Sequence, residues 1–89
     1  KLSSPHILEY ISLSDSVDIM EILITEKAAG KTVLELNVRK NYGLNIIAVN
    51  HAGEMTTDIS PETEFALGDT VTVIGKTADV AKFEDYLAK

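Results

Sequence analysis

The sequence predicts an α+β domain, a small four-stranded and mainly antiparallel sheet with flanking helices. Three observations point there. The apolar and β-branched runs are short and are separated by single glycines at positions 30, 43, 53, 68 and 75, where turns belong. Capping signals stand at Thr32 and Thr77, each ahead of residues with helical spacing. The resulting order is strand, helix, strand, hairpin strand, strand, helix.

Leu2–Ile11 reads as the tail of a short helix, with Ser3-Ser4-Pro5 as its start and Ile7, Leu8 and Ile11 as its apolar positions. Ser12–Val17 is polar and turn-prone. Asp18–Glu26 (DIMEILITE) carries Ile22, Leu23 and Ile24 in succession and predicts a strand buried on most of both faces. Gly30-Lys31 ends it. Thr32–Tyr42 (TVLELNVRKNY) then predicts one helix. Thr32 and Glu35 have capping-box spacing, Leu34, Val38 and Tyr42 recur four apart on one face, and Gly43 stands where a left-handed cap needs glycine.

Leu44–Asn50 (LNIIAVN) predicts a second core strand. Ala52-Gly53 predicts a tight reversal and Met55–Ile59 a returning, more polar strand. Ser60-Pro61 with Glu62 reads as a loop and Leu67-Gly68-Asp69 as a turn. Thr70–Gly75 (TVTVIG) predicts the last strand, with Val71 and Val73 on one face. A closing helix capped by Thr77 places Val80, Phe83 and Leu87 on one stripe, with Asp79 in its first turn.

Eighty-nine residues make one domain. A chain this short buries roughly 60–65% of the surface its unfolded form exposes, so a partner subunit would help it. With no cysteine, disulfides, thiolate metal sites and thiol nucleophiles are all excluded. A net charge of −6 disfavours nucleic-acid binding through a global positive field. No apolar run is long enough to span a bilayer and no basic-then-apolar leader is present, which predicts a soluble piece. The start at Lys1 rather than methionine predicts a fragment or a processed product.

Enzyme readings fail for want of a catalytic set. His6 and His51 lack partners at ligand spacing and read as turn or surface residues; no metal is expected. Serines 3, 4, 12, 14 and 60 lie in no nucleophile elbow, and no glycine-rich phosphate loop occurs. Asp58, Glu62, Glu64 and Asp69 read as a solvated acidic loop, since their spacing does not fit a calcium loop. No catalytic residue is expected.

Charge is nonetheless uneven. Lys27, Lys31, Arg39 and Lys40 fall between positions 27 and 40 with Glu35 as the only acid, whereas residues 54–69 carry five acids and no base. This predicts a cationic pocket around one helix. Arg39 and Lys40 either complement the helix C-terminus or form an anion site, in which the Arg39 fork holds a phosphate and Asn37 or Asn45 adds neutral hydrogen bonds.

The segment GKTVLELNVRKNYGLNIIAVNHAGEMTTDISPETEFALGDTVTVIG, residues 30–75, resembles the C-terminal regulatory subdomain of RCK proteins, the cytosolic gating subunits of bacterial Ktr/Trk potassium uptake systems. The resemblance rests on G-K-T-x-x-x-L-x-V-R-x-x-Y-G, on I-I-A-V and on G-D-x-V-x-V-x-G, and it extends over residues 6–86. HILEYISLSD upstream and KFE downstream are closer to the Ktr branch than to RCK domains in general. On this reading residues 1–11 are a linker or helix from a missing N-terminal Rossmann domain, and residues 12–89 are the RCK C-terminal domain. ATP, ADP or NAD binding therefore does not belong to these residues.

The resemblance implies a homodimer that in several members binds cyclic di-AMP at the dimer interface and controls K+ uptake. It implies a membrane potassium-translocating partner reached through the full gating ring, no nucleic acid, and a cytoplasmic place at the periphery of the membrane. Carried over by position, Val33 and Leu34 flank the adenine, Asn37 is the polar residue before the arginine, and Arg39 meets phosphate. Asn45 is the polar position after Tyr-Gly, and Pro61 packs on the base. Read structurally instead, Val33 and Leu34 are core or dimer packing, Arg39 is a helix-end salt-bridge former and Pro61 a turn proline. A ligand-free dimerisation domain of the same ring, or the equivalent domain of another ion or carboxylate transporter, are the alternatives.

Overall fold

The computed structural model describes residues 6–88. Five strands, β1 (Ile7–Ser12), β2 (Val17–Leu23), β3 (Asn45–His51), β4 (Glu54–Thr56) and β5 (Thr70–Lys76), form one sheet in the order β1-β2-β5-β3-β4. Every pairing is antiparallel. Helices α1 (Val33–Leu36) and α2 (Val38–Tyr42) lie between β2 and β3, and α3 (Thr77–Ala88) closes the chain. The α+β class holds, with one strand more than expected.

The extra strand replaces the helix expected at the N-terminus. Residues 7–12 pair with β2 from Ile7↔Ile22 to Ser12↔Asp18. The β-branched Ile7 and Ile11 with Tyr10 suit a pleated surface, and the serine-rich turn favours a hairpin. Ser14 Oγ accepts the Ser16 and Val17 N–H groups at 3.3 and 3.2 Å, while Leu13 N–H donates to Val17 O at 2.9 Å. The Ser3-Ser4-Pro5 start lies outside the described residues.

β2 stops at Leu23, short of the expected Glu26, although Ile24 stays buried and its N–H donates to Asp69 O at 2.8 Å. Its burial alternates strictly instead of covering both faces: Asp18, Met20 and Ile22 are buried, and the residues between them half-buried. Met20, Ile22, Val71 and Val73 form the inner face, against which α3 sets Val80, Phe83 and Leu87 as its spacing predicts. Tyr42 packs its ring on Phe83 at 5.4 Å, where burial, and then Tyr86 beside it, push its hydroxyl pKa above the usual value. A Cβ at Gly75 would collide with Leu44 Cδ2, so glycine lets β5 and the start of β3 close up.

The hairpin turn is as expected, with Ala52 at φ 53° and Gly53 at φ 84°. Its return strand ends at Thr56 and does not reach Ile59, because only Val49, Asn50 and His51 find partners there. The expected helix over Thr32–Tyr42 is two short helices, broken at Asn37.

Candidate functional site

The break at Asn37 builds the site. Thr32 and Glu35 close a capping box: Thr32 N–H donates to Glu35 Oε1 at 2.8 Å, and Glu35 N–H to Thr32 Oγ1 at 3.1 Å. Asn37 then turns left-handed, at φ 43° and ψ 56°, ending α1 and capping α2 with its own side chain, which accepts the Lys40 N–H at 3.4 Å. Asparagine tolerates that conformation better than most residues. Asn41 Nδ2 donates to the freed carbonyl of Leu36 at 2.9 Å. Gly43, left-handed at φ 72°, caps α2 as expected and turns the chain into β3.

The break also corrects the expected apolar stripe. Val38 is buried and Tyr42 half-buried, but Leu34 is 66% exposed, since the turn at Asn37 rotates α1 away from the register of α2.

A second segment is clamped against α1. The N–H groups of Val33 and Leu34 have no partner within so short a helix. They donate instead to Thr63 O at 2.9 Å and Pro61 O at 3.0 Å. Gly30 N–H to Phe65 O (2.7 Å) and Phe65 N–H to Lys31 O (2.9 Å) extend this pairing, with Phe65 buried as its anchor. Pro61 is thereby fixed beside Leu34.

All six residues singled out from the sequence, Val33, Leu34, Asn37, Arg39, Asn45 and Pro61, line one open concavity of about 290 Å3. Its remaining walls are Val38, Leu44, Ile46 and Ile59, which sequence reasoning did not assign to a site. The signal for Ile46 was its place in the second core strand, one residue from Asn45. Ile59 had only its closeness to Pro61.

Arg39 is exposed and has no ion-pair partner among the described residues, so its guanidinium is available to an anion. It also stands in the last turn of α2 with Lys40, where a cation suits the helix end. The expected cationic pocket around one helix does not form. Lys31 lines a separate hollow beside Glu35, Asn41, Tyr42 and Tyr86, and Lys27 another beside Thr25 and Leu87. Among the described residues Arg39 is the only base on the walls of this concavity. The site is thus an apolar dish with two amide side chains and one guanidinium.

The acidic stretch holds a further correction. Asp69 is buried: its Oδ2 accepts the Ala66 N–H at 2.9 Å and its Oδ1 lies 2.6 Å from His51 Nδ1. It fixes the 66–69 turn rather than facing solvent, and His51, itself exposed, is its partner. Among the described residues no group of three or more His, Asp or Glu side chains could hold a metal ion.

Comparison with known proteins agrees with this architecture. The Ktr system potassium uptake protein A of Bacillus subtilis is 37% identical over 84 residues, covering 94% of this chain and 38% of that protein. Protein C of the same Ktr system is 32% identical over 81 residues, covering 91% of this chain and 37% of that one. The chain thus spans well under half the length of the curated relatives it matches. Among solved structures, the RCK C domain of KtrA in complex with cyclic di-AMP superposes with a TM-score of 0.73 at 36% identity, over 75% of this chain and 79% of that one. The RCK_C domain dimer of Streptococcus agalactiae BusR in complex with cyclic di-AMP gives 0.70 at 28% identity, over 76% and 92%. BusR has also been solved in complex with promoter DNA, and there this chain matches 34% of the BusR chain. The TrkA-C domain family matches residues 19–88, nearly everything from β2 to the end of α3. The chain belongs to the TrkA-C domain family.

Proposed function

We propose that this domain is a non-catalytic sensor module of a potassium-transport gating protein, which binds cyclic di-AMP between two copies of itself. One observation carries the reading: Val33, Leu34, Asn37, Arg39, Asn45 and Pro61 converge on a single dish whose one guanidinium has no ion-pair partner among the described residues. A dish of about 290 Å3 sits at the lower edge of the range for small-molecule sites, roughly 300–1,000 Å3. Two dishes facing each other across a two-fold axis reach well into that range. A two-fold-symmetric dinucleotide offers two bases and two phosphates, and the dimer answers with two apolar pairs and two Arg39 side chains. The cyclic di-AMP complexes of the KtrA domain and of BusR support the same reading.

In this reading the homodimer sits in the cytoplasm, at the membrane periphery, and acts on a membrane potassium-translocating subunit through a larger gating ring. No helix among the described residues is long and apolar enough to cross a membrane. Nucleic acid is no partner of this domain's own surface, which carries a net −6. A second reading has one finding in its favour: an uncharacterized transporter of Bacteroides fragilis is 32% identical over 81 residues, which matches an equivalent domain in another kind of transporter.

Calorimetry with cyclic di-AMP, cyclic di-GMP and ATP tests the proposal. Heat with cyclic di-AMP alone, saturating at one ligand per two chains, supports the sensor. No heat from a folded dimer leaves a ligand-free dimerisation domain.

A further inference from the structure

An antiparallel sheet with one wet face alternates apolar and polar residues, and this sheet departs from that pattern. Its helices pack on one side, α3 against β2 and β5 and α2 against α3. On the other side Ile11, Ile19, Ile47 and Met55 surround Glu9 and Glu21 in a shallow hollow of about 470 Å3. Ile11 is 51% exposed and Met55 56%, so nothing among the described residues covers them. In β2 (VDIMEIL) the outward positions are Val17, Ile19, Glu21 and Leu23, which is the composition of a covered surface.

Glu9 and Glu21 are direct cross-strand partners. Like charges so placed repel each other, and more strongly as water is removed. The Thr70 O–H donates to Glu21 Oε2 at 2.9 Å, but among the described residues neither carboxylate has an ion-pair partner. An acidic pair inside an apolar surface asks for a cation from outside.

The geometry points to a docking surface for an amphipathic helix of a partner protein, one whose apolar stripe carries a lysine or arginine over Glu9 and Glu21. A helix laid on the open face completes the second layer that a two-sided apolar sheet requires. Two copies stacked face to face would crowd four carboxylates together, and the outward base on the strands, Lys76, stands at the far end of β5 opposite Val17. An anionic membrane surface would be repelled by the same pair. This inference does not depend on the ligand reading, because the two hollows share no residue.

A short amphipathic leucine–lysine peptide, followed by fluorescence anisotropy, is the probe. It should bind the wild-type domain, and the same pattern built from leucine and glutamate should not. The double variant Glu9→Gln/Glu21→Gln should bind the lysine peptide about tenfold more weakly. Glu54→Gln/Glu84→Gln changes net charge equally elsewhere and should leave affinity within about twofold. Equal weakening in both double variants would mean attraction to the overall negative charge and would overturn the inference. So would a wild-type domain that ignores the lysine peptide, or Ile47→Glu turning a dimer into a monomer in sedimentation, which would assign the face to a second copy.

Discussion

Asn37 holds a left-handed backbone while its side-chain oxygen accepts the N–H of Lys40, and this relationship decides where the candidate ligand residues stand. Leu34 precedes the break and Arg39 follows it. A continuous helix would set them on different faces; the break brings both to one dish.

Asn37→Gly should therefore keep the geometry, losing only the side-chain cap, at a few tenths of a kcal/mol. Asn37→Ala should cost about 1–3 kcal/mol, because alanine pays for the left-handed conformation and also loses the cap. Urea denaturation measures both, and equal cost for the two variants would mean that the backbone conformation contributes nothing.

Gly75→Ala should destabilise the domain by roughly 1–3 kcal/mol through overpacking against Leu44. Leu44 is buried, so Leu44→Ala is costly by itself, but the double variant Gly75→Ala/Leu44→Ala should lose less than the two single losses added together, a coupling that a double-mutant cycle reads directly.

The two ends of the His51–Asp69 contact should differ. Asp69→Ala strands the Ala66 N–H and removes a buried anchor, at about 1–3 kcal/mol. His51→Ala removes an exposed partner and should cost less than about 1 kcal/mol. Thermal melts at neutral pH compare them.

Leu34→Lys should leave the fold intact, since Leu34 is 66% exposed. It should shift the proposed dimer toward monomer in sedimentation at micromolar concentrations, because a large apolar side chain so exposed is a natural contact for a second copy. An unchanged dimer would place the self-interface away from the dish.

Much of this was legible in the chain because local chemistry decides it. The Thr32–Glu35 box, the Gly43 cap, the Ala52-Gly53 reversal and the Val80–Phe83–Leu87 stripe all stand as read. What escaped was set by tertiary pairing. Ile7–Ser12 is a strand because β2 offers it an edge, and its apolar spacing alone could serve a helix turn equally well. Asn37 breaks a helix whose i, i+4 pattern runs straight through it. Asp69 belongs to an acidic stretch on paper and is buried in the fold, where it takes the Ala66 N–H and meets His51, eighteen residues earlier. The six candidate ligand positions came from the family resemblance and from the Arg39–Asn chemistry. Their neighbours Ile46 and Ile59 became visible only when β3 and the 57–63 segment were folded together.

The most direct test of the ligand reading is a cyclic di-AMP titration of Arg39→Ala beside the wild type. In folding, Arg39 contributes a helix-end contact of a few tenths to about 1 kcal/mol. In binding, each charge-assisted bond to phosphate is worth roughly 1.5–3 kcal/mol, and a symmetric site loses two together. The account predicts a folded, dimeric variant whose affinity falls by about two to four decades, with Arg39→Lys recovering only part. A variant that melts while its residual affinity stays at the wild-type value would contradict it and make Arg39 structural.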